Sequence, residues 1–121
     1  MSAYHYIFIQ PGHPVEKVVS DISAACGAHL AQGSGGGEYG ASLGYAAVEY
    51  EQSHEYDDDF GIPFSTYESV ITIRDFDRTL ERQELLAVRI YQNLAALGTY
   101  SLALVFDLQR LLDSSVVRRQ S

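Results

Sequence analysis

A run of six residues near the middle of the chain carries enough ligand groups to bind a cation. It reads His-Glu-Tyr-Asp-Asp-Asp and spans residues 54–59. Carboxylate oxygens ligate calcium, and a twelve-residue EF-hand loop that started at Asp57 would end at Glu68. Such a loop needs glycine at its sixth position, where this chain has Ile62. We therefore expect a solvated acidic loop with no metal site, and we expect no cofactor.

Two glycine-rich patterns match enzyme motifs by letter. Residues 35–40 fit the dinucleotide-binding pattern G-x-G-x-x-G, and residues 40–44 fit the nucleophile pattern G-x-S-x-G. Both motifs require a strand before the glycines and a helix after them. In this chain a helical pattern precedes the glycines and a strand pattern follows them. Neither pattern therefore predicts an active site, and we expect a domain without catalytic activity.

The acidic residues are concentrated in one part of the chain. Between Lys17 and Arg74 there are nine carboxylates and no lysine or arginine, and the net charge of the 121 residues is −8. A field of this sign repels phosphates and attracts basic proteins, so we expect a basic protein partner and no nucleic acid. No apolar run is long enough to span a membrane. The single cysteine, Cys26, fits a reducing compartment, and we expect a cytoplasmic protein.

The hydrophobic pattern predicts one domain, residues 1–121, with the order strand, helix, strand, strand, helix, strand. The strands are expected at residues 4–9, 45–51, 66–74 and 100–106. The first helix begins at Pro14 and the second spans residues 77–97, with a short terminal helix at 108–112. The connecting segments are a flexible glycine-rich loop at 33–44, an acidic hairpin loop at 53–64 and a frayed tail at 114–121.

With right-handed crossovers, this order predicts an α+β fold of the ferredoxin-like βαββαβ type. That fold has a four-stranded antiparallel sheet with two helices on one face. The strand at 45–51 would lie at the edge of the sheet. Glu49 and Glu51 would then prevent this edge from pairing with other chains, which explains them at least as well as a binding role does.

Tyrosines alternate with the acidic residues, as on surfaces that bind basic proteins. Our main hypothesis is a non-catalytic inhibitor of the immunity or antitoxin type, which covers the basic site of a nuclease-like toxin. Small size, acidity and the absence of a catalytic signature are shared with immunity proteins as a class. The residues expected to bind the partner are Glu49, Glu51, Glu55, Tyr56, Asp57, Asp58 and Asp59.

Two other hypotheses remain open. The chain could be a small enzyme or ligand-binding domain on a dimeric ferredoxin-like scaffold, with Tyr4, His5, Tyr6 and Arg74 in its pocket. It could also be an assembly subunit that joins a complex through a sheet edge. Arg78, Arg82 and Arg89 recur at helical spacing and are either a solvated face or a basic stripe that meets the acidic hairpin of a second copy in a homodimer.

Overall fold

One antiparallel sheet of seven strands and two helices make up the protein, in a computed structural model that describes residues 3–33 and 38–117. The helices are α1 (Val15–Cys26) and α2 (Leu80–Ala96). The strands are β1 (His5–Gln10), β2 (Ala31–Gln32), β3 (Glu38–Ser42), β4 (Ala46–Glu51), β5 (Ser69–Asp75), β6 (Ser101–Phe106) and β7 (Arg110–Ser115). Across the sheet the strand order is β2-β3-β4-β5-β1-β6-β7.

The prediction of a four-stranded ferredoxin-like sheet is wrong. The four predicted strands form as β1, β4, β5 and β6, but β2 and β3 extend the sheet beyond β4, and β7 extends it beyond β6. Strand β3 occupies part of the predicted flexible loop at 33–44. Strand β7 replaces the predicted helix at 108–112 and includes the first two residues of the predicted tail. Of those two segments, residues 34–37 and 118–121 lie outside the described residues.

Because β3 pairs along its length with β4, β4 is an interior strand. The expectation that Glu49 and Glu51 protect a sheet edge is therefore also wrong. Within β4, Ala46, Val48 and Tyr50 pack under the helices, and the two glutamates point to the opposite face. Their carboxylates consequently stand over the middle of the sheet.

The larger core lies between the sheet and the two helices. Ile7 and Ile9 of β1 meet Val18 and Ile22 of α1 there, and all four are fully buried. Helix α2 adds an apolar stripe of Leu86, Ala87, Ile90 and Leu94. Gly27 ends α1 in the left-handed conformation, with φ of 76°, which glycine adopts without steric cost. This packing fixes which residues of each strand face away from the helices.

A smaller core covers part of the sheet's other face. The loop between β4 and β5 folds back over the sheet, and its Ile62 and Phe64 pack on Phe8 of β1. Burying a ring such as Phe8 contributes about 2–3 kcal/mol to folding. The acidic loop at 53–64 is therefore held against the sheet by its own apolar residues, and it covers part of this face.

The three arginines at helical spacing do not all lie on one helix. Helix α2 begins at Leu80, so Arg78 precedes it, and its φ is 59°. The Arg82 guanidinium donates to both carboxylate oxygens of the buried Asp75, at 2.6 and 3.0 Å. Arg82 is thus paired within the chain, and a homodimer through this helix stays a prediction.

Candidate functional site

A cavity of about 370 Å³ opens on the sheet face that the helices do not cover. We call it the acid–tyrosine cavity, because carboxylates and tyrosine rings stand around it. They are Glu38, Glu49, Glu51, Tyr4, Tyr6 and Tyr56. Tyr39 and Tyr50 also line the cavity, although both pack with the helix-side core. The residues come from β1, β3, β4, the segment before β1 and the acidic loop, so the site exists only in the folded sheet.

Small residues form the floor of the cavity. Thr72 of β5 lies directly between Tyr6 and Glu49 in the register of the sheet, and Gly40 of β3 lies opposite Glu49 on its other side. Gly40 shares its face with Glu38, because the alternate residue Tyr39 packs against the helix-side core. The side chains on the floor are short and those around it are long, and this difference in length forms the cavity.

The carboxylates of the cavity are poorly compensated by cations of the chain. Glu38 lies directly opposite Glu51 across the β3–β4 pair, and among the described residues neither forms an ion pair. Glu49 has one cation, the Arg74 guanidinium, at 3.5 Å. Partial burial, followed by the charges of Glu38 and Glu49, raises the pKa of Glu51 above its ordinary value. The cavity consequently has a negative potential that a cation would relieve.

Tyr4, Tyr6 and Tyr56 form a connected group of rings. The Tyr6 ring lies between those of Tyr4 and Tyr56, with centroid distances of 6.4 and 6.2 Å and edge-to-face geometry in both pairs. Burial, with smaller effects from Tyr56 and Tyr4, raises the pKa of Tyr6 to about 12. The Tyr6 hydroxyl therefore keeps its proton at neutral pH.

His54 holds the part of the acidic loop that carries Tyr56. Its Nδ1 accepts a hydrogen bond from the Tyr56 backbone N–H at 3.1 Å, and its Nε2 donates to the Tyr67 carbonyl oxygen at 2.7 Å. This arrangement assigns the ring proton to Nε2. The histidine of the acidic run thus connects the two ends of the loop, and it positions a cavity tyrosine.

The seven predicted partner-binding residues fall into two groups. Glu49, Glu51 and Tyr56 line the acid–tyrosine cavity, and Glu55 borders a neighbouring hollow that shares Glu51 and Tyr56 with it. The other three, Asp57, Asp58 and Asp59, are exposed on the loop and line neither hollow.

Within that second group, two carboxylates have roles in shaping the loop. Asp58 accepts hydrogen bonds from the Ser65 backbone N–H and hydroxyl, at 2.8 and 2.7 Å, and these bonds lower the pKa of Asp58. Asp59 accepts from the Phe60 backbone N–H at 2.9 Å. Asp58 therefore stabilises the turn before the 3₁₀ helix Phe64–Thr66, which a reading of charge alone does not reveal.

The pocket of the ligand-binding hypothesis is divided between the two faces of the sheet. Tyr4 and Tyr6 line the acid–tyrosine cavity, whereas His5 is 1% exposed on the helix side. There its ring contacts Gln83 and Glu84 of α2 at 2.7 and 3.2 Å, and burial lowers the pKa of His5 despite the nearby glutamate. The structure therefore brings two of the four predicted residues together and separates His5 from them.

Sequence reasoning missed Glu38, Gly40 and Thr72 as cavity residues. Strand β3, which brings Glu38 and Gly40 to the cavity, was not predicted. The signal for β3 was present in the alternation of Tyr39, Ala41 and Leu43, which all pack against the helix-side core.

Within residues 3–33 and 38–117, no group of three or more His, Cys, Asp and Glu side chains is arranged to hold a metal ion. In the same residues, neither helix has the length and apolar character needed to cross a bilayer. No family model matches the chain, and no curated protein or solved structure matches it either.

Proposed function

We propose that this protein is a non-catalytic domain that binds a basic protein, and that it acts as an immunity- or antitoxin-type inhibitor of a nuclease-like toxin. The observation that supports the proposal is the location of the negative charge. Glu38, Glu49 and Glu51 stand together on one face of the sheet, and the acidic loop adds exposed carboxylates at the same face. The opposite face is covered by the helices.

The electrostatic argument concerns both affinity and rate. A nuclease presents lysine and arginine side chains to phosphates, so a surface of carboxylates and tyrosines can occupy the same site in place of its substrate. Complementary charge increases the rate of association by steering the encounter. The rings of Tyr4 and Tyr56 supply rigid apolar contact area beside the carboxylates, which is typical of residues that contribute most to binding.

Internal ion pairs leave this face available. Arg82 pairs with Asp75 and Asp77, and Lys17 pairs with Asp21, all away from the cavity. On the cavity side, the ion pair within the described residues is Arg74 with Glu49, and both side chains are partly exposed. Most of the cavity's charge is therefore free to interact with a partner.

A cytoplasmic location stays a prediction, which the free thiol of the buried Cys26 supports.

The test is co-expression of the protein with the products of the reading frames on either side of its gene. We expect one product to be basic, to be toxic when expressed alone, and to form a one-to-one complex that size-exclusion chromatography detects. The complex should weaken as salt rises from about 0.05 to 0.5 M, because exposed charges are screened over this range.

A pair of charge-matched variants makes the test specific to the site. The double variant Glu49→Gln/Glu51→Gln removes two charges from the cavity, and Glu16→Gln/Glu81→Gln removes two from exposed positions on the helices. We expect the first to weaken the complex at least about tenfold, which is about 1.4 kcal/mol. The second should change it less than about twofold. Equal effects of the two variants, or the absence of any basic toxic partner, would refute the proposal.

The cavity also favours a second candidate, a domain that binds a small organic cation. A volume of about 370 Å³ falls within the range of ligand pockets, about 300–1,000 Å³. This candidate predicts that the protein binds a free cationic compound tightly without any protein partner. Titration with free cations and the co-expression experiment together distinguish the two functions.

A further inference from the structure

We propose that the acid–tyrosine cavity receives the side chain of one arginine from the basic partner. This inference rests on the proposed function and specifies how the partner is recognised. The site combines two features that a guanidinium needs. Carboxylates at Glu38 and Glu51 can accept its forked N–H groups, and the rings of Tyr4 and Tyr56 can stack on its planar face.

The Tyr6 hydroxyl is a further group that is available to a ligand in the cavity. Tyr6 is only 9% exposed, and among residues 3–33 and 38–117 its hydroxyl has no hydrogen-bond partner. In the described part of the chain, every fully enclosed polar side-chain atom does have a partner. The hydroxyl oxygen must therefore be reached from the cavity that Tyr6 lines, and it offers a lone pair there. A guanidinium N–H supplies the donor that this oxygen lacks.

The charge arrangement selects a cation with several donors. The carboxylates of Glu38 and Glu51 lie on adjacent strands in direct register, so one flat cation can bridge them. Arg74 already occupies one side of Glu49, which leaves Glu38 and Glu51 as the main acceptors. Lysine offers a more compact and more strongly hydrated charge, and it does not stack on rings as arginine does. We therefore expect the cavity to prefer arginine to lysine.

Gly40 permits a test that leaves every charge in place. A Cβ built at Gly40 meets only the Val48 carbonyl oxygen at 3.7 Å and Glu49 Cγ at 4.0 Å, which are ordinary contacts. The variant Gly40→Leu should therefore fold and fill the cavity from its floor. Ser42 lies on the same strand and face but does not line the cavity, so Ser42→Leu is the matched control.

The experiment is a titration followed by NMR, with the amides of residues 40 and 72 as reporters. The probes are N-acetyl-arginine methylamide, the corresponding lysine compound and the corresponding citrulline compound, which keeps the arginine shape without its charge. We expect the arginine probe to bind at least about tenfold more tightly than the citrulline probe, and more tightly than the lysine probe. Gly40→Leu should abolish this binding, and Ser42→Leu should retain it. Glu38→Gln/Glu51→Gln should weaken it at least about tenfold.

The possible failures of the two proposals are distinguishable. Equal binding of arginine and citrulline probes, or unchanged binding by a folded Gly40→Leu variant, would overturn the cavity inference. If Gly40→Leu also binds the basic partner with full affinity while Glu49→Gln/Glu51→Gln does not, the inference fails and the proposed function stands. If the arginine probe binds but no basic protein does, the arginine of a partner is the wrong source and the inhibitor function fails as well.

Discussion

Replacing Glu51 with glutamine should make the free protein more stable at neutral pH. The Glu51 carboxylate is partly removed from water, and it faces Glu38 directly across the strand pair with Glu49 close by. Two carboxylates about 6 Å apart in water repel each other by about 0.7 kcal/mol. With the desolvation of Glu51 added, we expect Glu51→Gln to raise the free energy of unfolding by about 1 kcal/mol. This corresponds to an increase in Tm of about 4 °C.

The effect should depend on pH in a defined direction. The pKa of Glu51 in the folded protein is raised above its ordinary value of 4.5. A raised carboxylate pKa destabilises the folded state at higher pH, and the penalty disappears as pH falls below the unfolded value. The advantage of Glu51→Gln should therefore be full near pH 7 and absent near pH 4. Urea denaturation at both pH values, in low salt, measures the difference.

Glu68 supplies a control with the opposite sign. Its carboxylate accepts the Gly12 backbone N–H at 2.8 Å and contacts His13 Nδ1 at 2.9 Å, and these contacts lower the pKa of Glu68. Glu68→Gln should consequently destabilise the protein at pH 7, by about 0.5–1 kcal/mol. The argument about Glu51 is refuted if Glu51→Gln proves less stable than the parent at pH 7, or if the greater stability of Glu51→Gln persists unchanged at pH 4.

Two further substitutions test electrostatics and packing outside the acid–tyrosine cavity. Asp75→Asn should lower the free energy of unfolding by about 2 kcal/mol at pH 7, because Arg82 and backbone N–H groups lower the pKa of Asp75 from 3.8 to about 2. In urea denaturation, the parent should lose its advantage over Asp75→Asn between about pH 5 and pH 2. A difference in stability that does not depend on pH would contradict the argument. Gly12→Ala should lower the free energy of unfolding by about 2 kcal/mol, because the added methyl group would overlap Ser69 Oγ, which accepts from the buried Tyr50 hydroxyl. Gly40→Ala, measured in the same way, should change the free energy of unfolding by less than about 0.5 kcal/mol.

The hydrophobic alternation of the sequence identified the strands that lie between two packed layers. In β4 and β5 the residues alternate between the helix-side core and the opposite face, so both the existence of each strand and the direction of its side chains were predictable. The placement of Glu49 and Glu51 away from the helices followed from the same pattern. Their position in the middle of the sheet did not, because it depends on the pairing of β4 with β3.

The missed strands are short or carry weak local signals. Strand β3 contains a glycine and follows a glycine run, which is more typical of a linker than of a strand. Strand β7 joins β6 through Asp107 and Leu108, whose φ angles are 55° and 59°, so the hairpin lacks the glycine that normally indicates such a turn. Its mostly exposed sequence also lacks a buried apolar face. In both cases pairing to an existing sheet outweighed local preference.

The interior position of β4 changes the explanation of its two glutamates. At a sheet edge, charged residues are accounted for by the need to prevent pairing with other chains. In the interior, that explanation does not apply, and facing carboxylates at Glu38 and Glu51 cost folding energy. The Tyr6 hydroxyl beside them is open to the cavity and has no partner among the described residues. A guanidinium bound in the cavity would offset the repulsion between the carboxylates and donate to this hydroxyl, and for this reason we favour recognition of a partner's arginine over a purely structural role for the acidic face.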